Sequence, residues 1–239
     1  METAPQTTAI FERIEEVRAK IVAAAERSRR AAAEITLVAV SKTHPAAAVR
    51  EAIAAGLSDF GENRVQEADT KVPEVGREAA RWHLIGHLQS NKARRAVELF
   101  DVIHSLDSAP LAQRLDRICV EISREELPVL IQVDLGHETT KTGIEEKELP
   151  GLVEAVGQCS RLRLIGLMTL PPFFDQPEQV RPFFRRLREL RDRLQEQGAF
   201  GDRTGNLSMG MTNDYEIAIE EGATMVRVGT SIFGHRPTI

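Results

Sequence analysis

Short apolar runs alternate with helical patterns eight times along this chain, and that rhythm constrains the fold more than any other feature. The candidate strands lie at 35–42, 58–63, 82–87, 101–106, 128–134, 163–169, 205–209 and 224–229. Helical patterns fall between them at about 46–56, 64–71, 90–99, 108–124, 145–158, 178–197 and 213–221. Strands that alternate with helices build a parallel sheet covered by helices. Eight strands are also what closes a (β/α)8 TIM-type barrel, for which about 250 residues is typical. A doubly wound open sheet is the alternative. It would carry a Gly-rich turn after the first strand, and that turn here reads Ser41-Lys42-Thr43-His44-Pro45. The expected class is therefore α/β, a single barrel domain over residues 1–239. An extra helix within 1–31 should pack on it, with Phe11, Ile14, Val17 and Ile21 as its apolar stripe.

Composition narrows the function classes. The net charge of −5, from 31 basic and 36 acidic side chains, argues against a nucleic-acid-binding protein. The arginines of 178–197 interleave with Glu189, Asp192 and Glu196 at pairing distance, the pattern of a solvated, salt-bridged helix. No apolar run approaches the roughly 20 residues of a membrane span, and no signal peptide is visible. Cys119 and Cys159 are far apart in helical segments, which fits free thiols in a reducing compartment. A cytoplasmic protein is expected.

Lys42 ends the first strand. It shares a face with Val38 and Val40, and Pro45 prevents further ladder pairing. Active sites of these barrels gather where the strands end. An ammonium there is costly to desolvate, desolvation lowers its pKa, and such an amine can attack a carbonyl to form a Schiff base. A surface lysine after a strand is the plainer alternative. Arg227 lies inside the apolar last strand, where a charge needs a partner or a purpose. Gly229-Thr230-Ser231 follows it, and the seventh strand ends in Asn206-Leu207-Ser208-Met209-Gly210-Met211. The loops after strands seven and eight are the usual phosphate site of a barrel; the two glycines could also simply make turns. Asn63 is either a ligand contact or a helix cap, and Met168 either faces a ligand ring or fills the core. His83 and His87 have helical metal-site spacing, but on a strand they are roughly 13 Å apart, too far to share one ion.

Six blocks carry a family resemblance. They are Val40-Ser41-Lys42-Thr43, residues 60–67, residues 82–92, Gly166-Leu167-Met168-Thr169, Leu207-Ser208-Met209-Gly210-Met211 and residues 226–234. Together they resemble the YggS/PROSC family, the pyridoxal 5′-phosphate (PLP) homeostasis proteins, which share the barrel of alanine racemase. The resemblance implies PLP as cofactor, held by Lys42 as a Schiff base. It assigns Ser208, Gly229 and Thr230 to the phosphate, with the Met209 and Thr230 amides as donors. It places Arg227 at the pyridine nitrogen, and Asn63 and Met168 beside the ring. A guanidinium only donates, so the ring nitrogen stays unprotonated and activates weakly. The implied role is to buffer or deliver the cofactor, with apo PLP-dependent enzymes as partners and no turnover. A PLP-dependent amino-acid racemase is the alternative. It needs a second base, which in the racemases is a tyrosine from an additional β-domain; this chain ends at Ile239, and its one tyrosine, Tyr215, starts a helix after strand seven. A Schiff-base aldolase or phosphosugar isomerase is a further alternative, with Glu62 and Asp134 as available carboxylates. Without the β-domain a monomer is expected.

Overall fold

A computed structural model describes residues 4–136 and 142–234. Its eight strands close into a barrel in the order of the sequence, every neighbouring pair parallel. They are β1 (Thr36–Val40), β2 (Asp59–Glu62), β3 (Arg81–Leu84), β4 (Val102–Leu106), β5 (Leu127–Gln132), β6 (Leu162–Met168), β7 (Asn206–Ser208) and β8 (Met225–Val228). All but β6 are shorter than their apolar runs, because the last residues of most runs leave the ladder for the loops of the barrel mouth. Closure is made by β1 against β8, with Thr36 opposite Met225 and Ala39 opposite Val228.

Nine α-helices are found among the described residues: α1 (Ala4–Arg27), α2 (Ala46–Ala54), α3 (Val65–Val75), α4 (Ala93–Leu99), α5 (Ala109–Glu121), α6 (Leu149–Gly157), α7 (Arg181–Glu196), α8 (Tyr215–Glu220) and α9 (Thr230–Phe233). The N-terminal helix α1 packs on α2, α8 and α9, across the β1–β8 seam. Its buried stripe is Ile10, Ile14, Val17, Ile21, Ala24 and Ala25, whereas Phe11 is half exposed. The stripe therefore runs one position earlier at its start than expected. Helix α7 buries Phe184, Leu187, Leu190 and Leu194 against the sheet. Three of its arginines, Arg181, Arg185 and Arg188, converge on the buried Glu221 just after α8, tying the two helices together. The short α9 was not anticipated: four residues are too few to show a helical period in sequence.

Two cores result. Outward-facing strand residues such as Phe60 and Trp82, whose rings lie 5.8 Å apart, pack under the helices. Inside the barrel, Val102, Leu130, Ile165, Met168 and Met225 form a separate cluster. The β5–β6 pairing shifts register between Val129 and Leu130, opposite Gly166. A Cβ on Gly166 would lie 2.1 Å from the Asn206 carbonyl oxygen, and its φ of +157° is one that L-residues rarely adopt. Replacing Gly166 with alanine is expected to cost about 3 kcal/mol or more, because both the backbone of β7 and the bulge must move. Urea denaturation checks this, and a loss within ~0.5 kcal/mol would show that the strand interface is not rigid.

Candidate functional site

Lys42 leaves β1 as part of a turn whose next residue, Thr43, has a positive φ of 68°. A left-handed threonine is strained and must be held by its surroundings. The restraint comes from helix α3. The Lys71 ammonium donates to the Ser41 carbonyl at 2.8 Å, to Glu62 at 2.6 Å and to Glu67 at 2.8 Å. Glu67 in turn accepts the Thr43 N–H at 2.5 Å, and Glu62 accepts the Ser41 hydroxyl at 2.6 Å. Both residues flanking Lys42 are thus clamped from outside the barrel, which leaves the Lys42 side chain directed by a rigid base. Glu62 is completely buried, and its Oε2 has no hydrogen-bond partner among the described residues. Burial raises its pKa, although Lys71 and Ser41 oppose the shift.

A cavity of about 640 Å³ opens at the C-terminal mouth of the barrel, a size usual for small-molecule sites. Lys42, Asn63, Arg227, Gly229 and Thr230 line it together. Asn63 does not cap α3, whose cap position is Arg64, and stands on the cavity wall instead. Its backbone is in close contact with Gly86, where a Cβ would lie 2.3 Å from the Asn63 oxygen. Gly229 is the cap position of α9 and lies so near Val40 that a Cβ would come within 3.2 Å of the Val40 oxygen. The first amides of α9 therefore open beside the end of β1, with no helical carbonyl to satisfy them. Phe173, Phe174 and Met211 add an apolar rim, with Phe173 three-quarters exposed.

Three expected contacts do not line this cavity. Met168 is fully buried within the barrel's inner aliphatic cluster. The Met209 N–H is already spent on the Met225 carbonyl at 3.1 Å, in the β7–β8 pairing. Ser208 is turned into the barrel, where its hydroxyl meets the Arg227 Nη1 at 2.5 Å and the His104 Nδ1 at 2.9 Å. The residue of the β7 loop that does reach the wall is Thr212. Arg227 also donates through Nη2 to the Thr169 carbonyl at 2.9 Å. Burial lowers its pKa to about 10, opposed by the charge of Asp214, so it stays cationic at neutral pH.

The histidines divide. His83 faces the barrel interior, between Asp59 and His104, both at 2.9 Å. His87 lies on the cavity wall and pairs with Asp107 at 3.2 Å. Tyr215 is buried at the start of α8, does not line the cavity, and has its pKa pushed up to about 12 by burial. The preceding Asp214 accepts the Met211 N–H at 2.6 Å, so its carboxylate closes the β7 loop and does not cap α8. His104 was not singled out from sequence, and Thr212 reads there as part of a cap for α8, not as a ligand contact. The available signal for His104 was the one that marked Arg227, a polar side chain within an apolar strand.

Lys71→Met removes three anchors and strands Glu62. The expected cost is about 3–5 kcal/mol in chemical denaturation, with faster amide exchange at Thr43. Adding Glu62→Gln should recover part of the loss; no recovery would show that the buried charge is not its source.

Comparisons with known proteins show the family. The family profile of the alanine racemase N-terminal domain matches residues 15–237. The pyridoxal phosphate homeostasis protein of Pseudomonas aeruginosa is 47% identical over 230 residues, covering 95% of this chain and 96% of that protein. PipY of Synechococcus elongatus, solved with PLP bound, is 42% identical with a TM-score of 0.79, covering 94% of this chain and 100% of PipY. Alanine racemase from Corynebacterium glutamicum is 18% identical with a TM-score of 0.69, over 97% of this chain and 62% of the racemase, a likeness of fold. The chain belongs to the alanine racemase N-terminal domain family, among its pyridoxal phosphate homeostasis proteins.

Proposed function

We propose that this protein binds PLP in the cavity at the barrel mouth, tethers it covalently to Lys42, and serves PLP homeostasis by holding or delivering the cofactor. The observation that carries the reading is the convergence of an amine, a guanidinium and free helix-start amides on one cavity wall. The PLP-bound PipY, 42% identical, supports it. When bound, PLP supplies an aldehyde that an amine can hold reversibly and a ring that can draw electrons from what is attached to it.

Each residue then has a task. Lys42 presents its amine from a braced turn. The Gly229 and Thr230 amides and the Thr212 hydroxyl offer donors for the phosphate. Arg227 donates to the ring nitrogen and, as a cation without a lone pair, leaves that nitrogen unprotonated. Asn63 offers an amide from the end of β2. Ser208 acts on Arg227 and not on the phosphate, and Met168 and Met209 act as structure.

This constellation binds better than it activates. Racemisation needs a base on each face of the reacting carbon. The chain's one tyrosine is buried away from the cavity. The proposal therefore includes storage or transfer without turnover, in the cytoplasm, where Cys119 and Cys159 stay reduced, with apo PLP-dependent enzymes as recipients and a monomer as the working unit.

Purified protein should be yellow, and borohydride should fix a pyridoxyl group on Lys42, located by peptide mass. Lys42→Ala should abolish that adduct while retaining weaker, phosphate-dependent binding. An adduct at another lysine would sink the tether. Incubation with L-alanine should yield no sustained D-alanine. Turnover on the order of 1 s⁻¹ would make the protein an enzyme.

A further inference from the structure

A barrel interior is normally filled by branched aliphatic side chains. Here part of it is filled by a line of polar ones, contributed by five strands. Asp59 opens β2, His83 lies in β3, His104 in β4, Ser208 ends β7 and Arg227 lies in β8. Four hydrogen bonds join them in series: Asp59 Oδ1 to His83 Nε2 at 2.9 Å, His83 Nδ1 to His104 Nε2 at 2.9 Å, His104 Nδ1 to Ser208 Oγ at 2.9 Å, and Arg227 Nη1 to Ser208 Oγ at 2.5 Å. His83, His104 and Ser208 are inaccessible to solvent, and Arg227 is 2% exposed.

The direction of every bond follows from its two ends. A carboxylate only accepts, so His83 carries its proton on Nε2 and offers Nδ1 as an acceptor. His104 must then donate through Nε2, which leaves its own Nδ1 to accept. Ser208 therefore donates its hydroxyl proton to His104 and turns its lone pairs to Arg227, which only donates. One neutral tautomer at each ring satisfies every link. Burial, the foremost cause, lowers the pKa of both imidazoles; Asp59 opposes the shift at His83, whereas at His104 the charges of His83, Arg227 and Arg81 add to it and take it well below its ordinary value. Burial alone would raise the Asp59 carboxyl, but hydrogen bonds from His83 and Ser58 hold it below its ordinary range. Among the described residues no carboxylate lies within ion-pair distance of Arg227. The negative end of the series is Asp59, near the opposite end of the barrel, with its side chain 15% exposed.

We propose that Asp59, His83, His104 and Ser208 form one directional hydrogen-bond relay that positions Arg227 and fixes it as a donor towards the ring nitrogen of a bound pyridine ligand. The role towards that ring rests on the PLP reading given above; the relay itself does not. Bonds in such a series polarise one another in the same sense, so the carboxylate at one end strengthens the guanidinium's hold at the other. The four are positioning residues: none lines the cavity at the barrel mouth.

Nitrogen-15 NMR of the cofactor-free protein tests the relay directly. At neutral pH both His83 and His104 should be uncharged, with the proton on Nε2. Asp59→Ala should alter the tautomer state of both rings together, although His104 does not touch residue 59. An imidazolium or an Nδ1 proton at either ring in the wild type would overturn the relay, as would Asp59→Ala leaving His104 unchanged. Ser208→Ala, compared with wild type in PLP titrations, should weaken binding about tenfold and shift the absorption band of the bound cofactor, while borohydride still labels Lys42. Unchanged affinity and band would overturn the positioning role. If the wild type binds no PLP, the proposed function fails while the nitrogen-15 result still decides the relay.

Discussion

The ladder between β1 and β8 is the interaction on which the site depends. It pairs Thr36 with Met225 and Ala39 with Val228, and so brings the first strand of the chain against the last. Lys42 and the start of α9 lie at opposite ends of the sequence and share one wall only because this seam closes. The seam is reinforced by α1, whose buried stripe rests on α8 and α9. Gly229 then allows the end of β8 to approach Val40 more closely than a residue with a Cβ would permit. Fold and site are one event here, since no part of the amine–amide wall exists before the barrel is circular.

The energetics show the same economy. Buried charge is costly unless paired, and the molecule uses it in two places with different solutions. Outside the barrel wall, Lys71 meets Glu62 and Glu67 directly and holds a strained turn. Inside, Arg227 is served by a hydroxyl, a carbonyl and a line of imidazoles that ends on a distant carboxylate. The first arrangement gives rigidity. The second gives orientation to a cation that keeps part of its surface on the cavity wall.

Much of this was legible in the chain because period and punctuation carry it. Eight apolar runs separated by helical stripes name the barrel, and Lys42 and Arg227 stand out as charges within apolar segments. Loop placement at strand ends is what put Asn63, Gly229 and Thr230 near one another. Other features have no local signal. The four residues of α9 are shorter than a detectable period. The inward turn of Ser208 depends on Arg227 and His104, distant in sequence, and nothing nearby distinguishes a phosphate-facing serine from one that braces an arginine. His83 was weighed only against His87, at a metal-site spacing, whereas its partners Asp59 and His104 come from the neighbouring strands. Phe11 matched the stripe of α1 by spacing, but the stripe's true edge is set by which side of the helix meets α8 and α9.

Lys71 and Lys42 both lie at the end of β1, and only Lys42 lines the cavity. Every N–H of Lys71 is committed to an acceptor, and its side chain is 6% exposed. A ligand in the barrel mouth therefore borders Lys42, while Lys71 is buried away from it. For the proposed tether, the buried ion pairs of Lys71 thus remove a competing amine from the same small region.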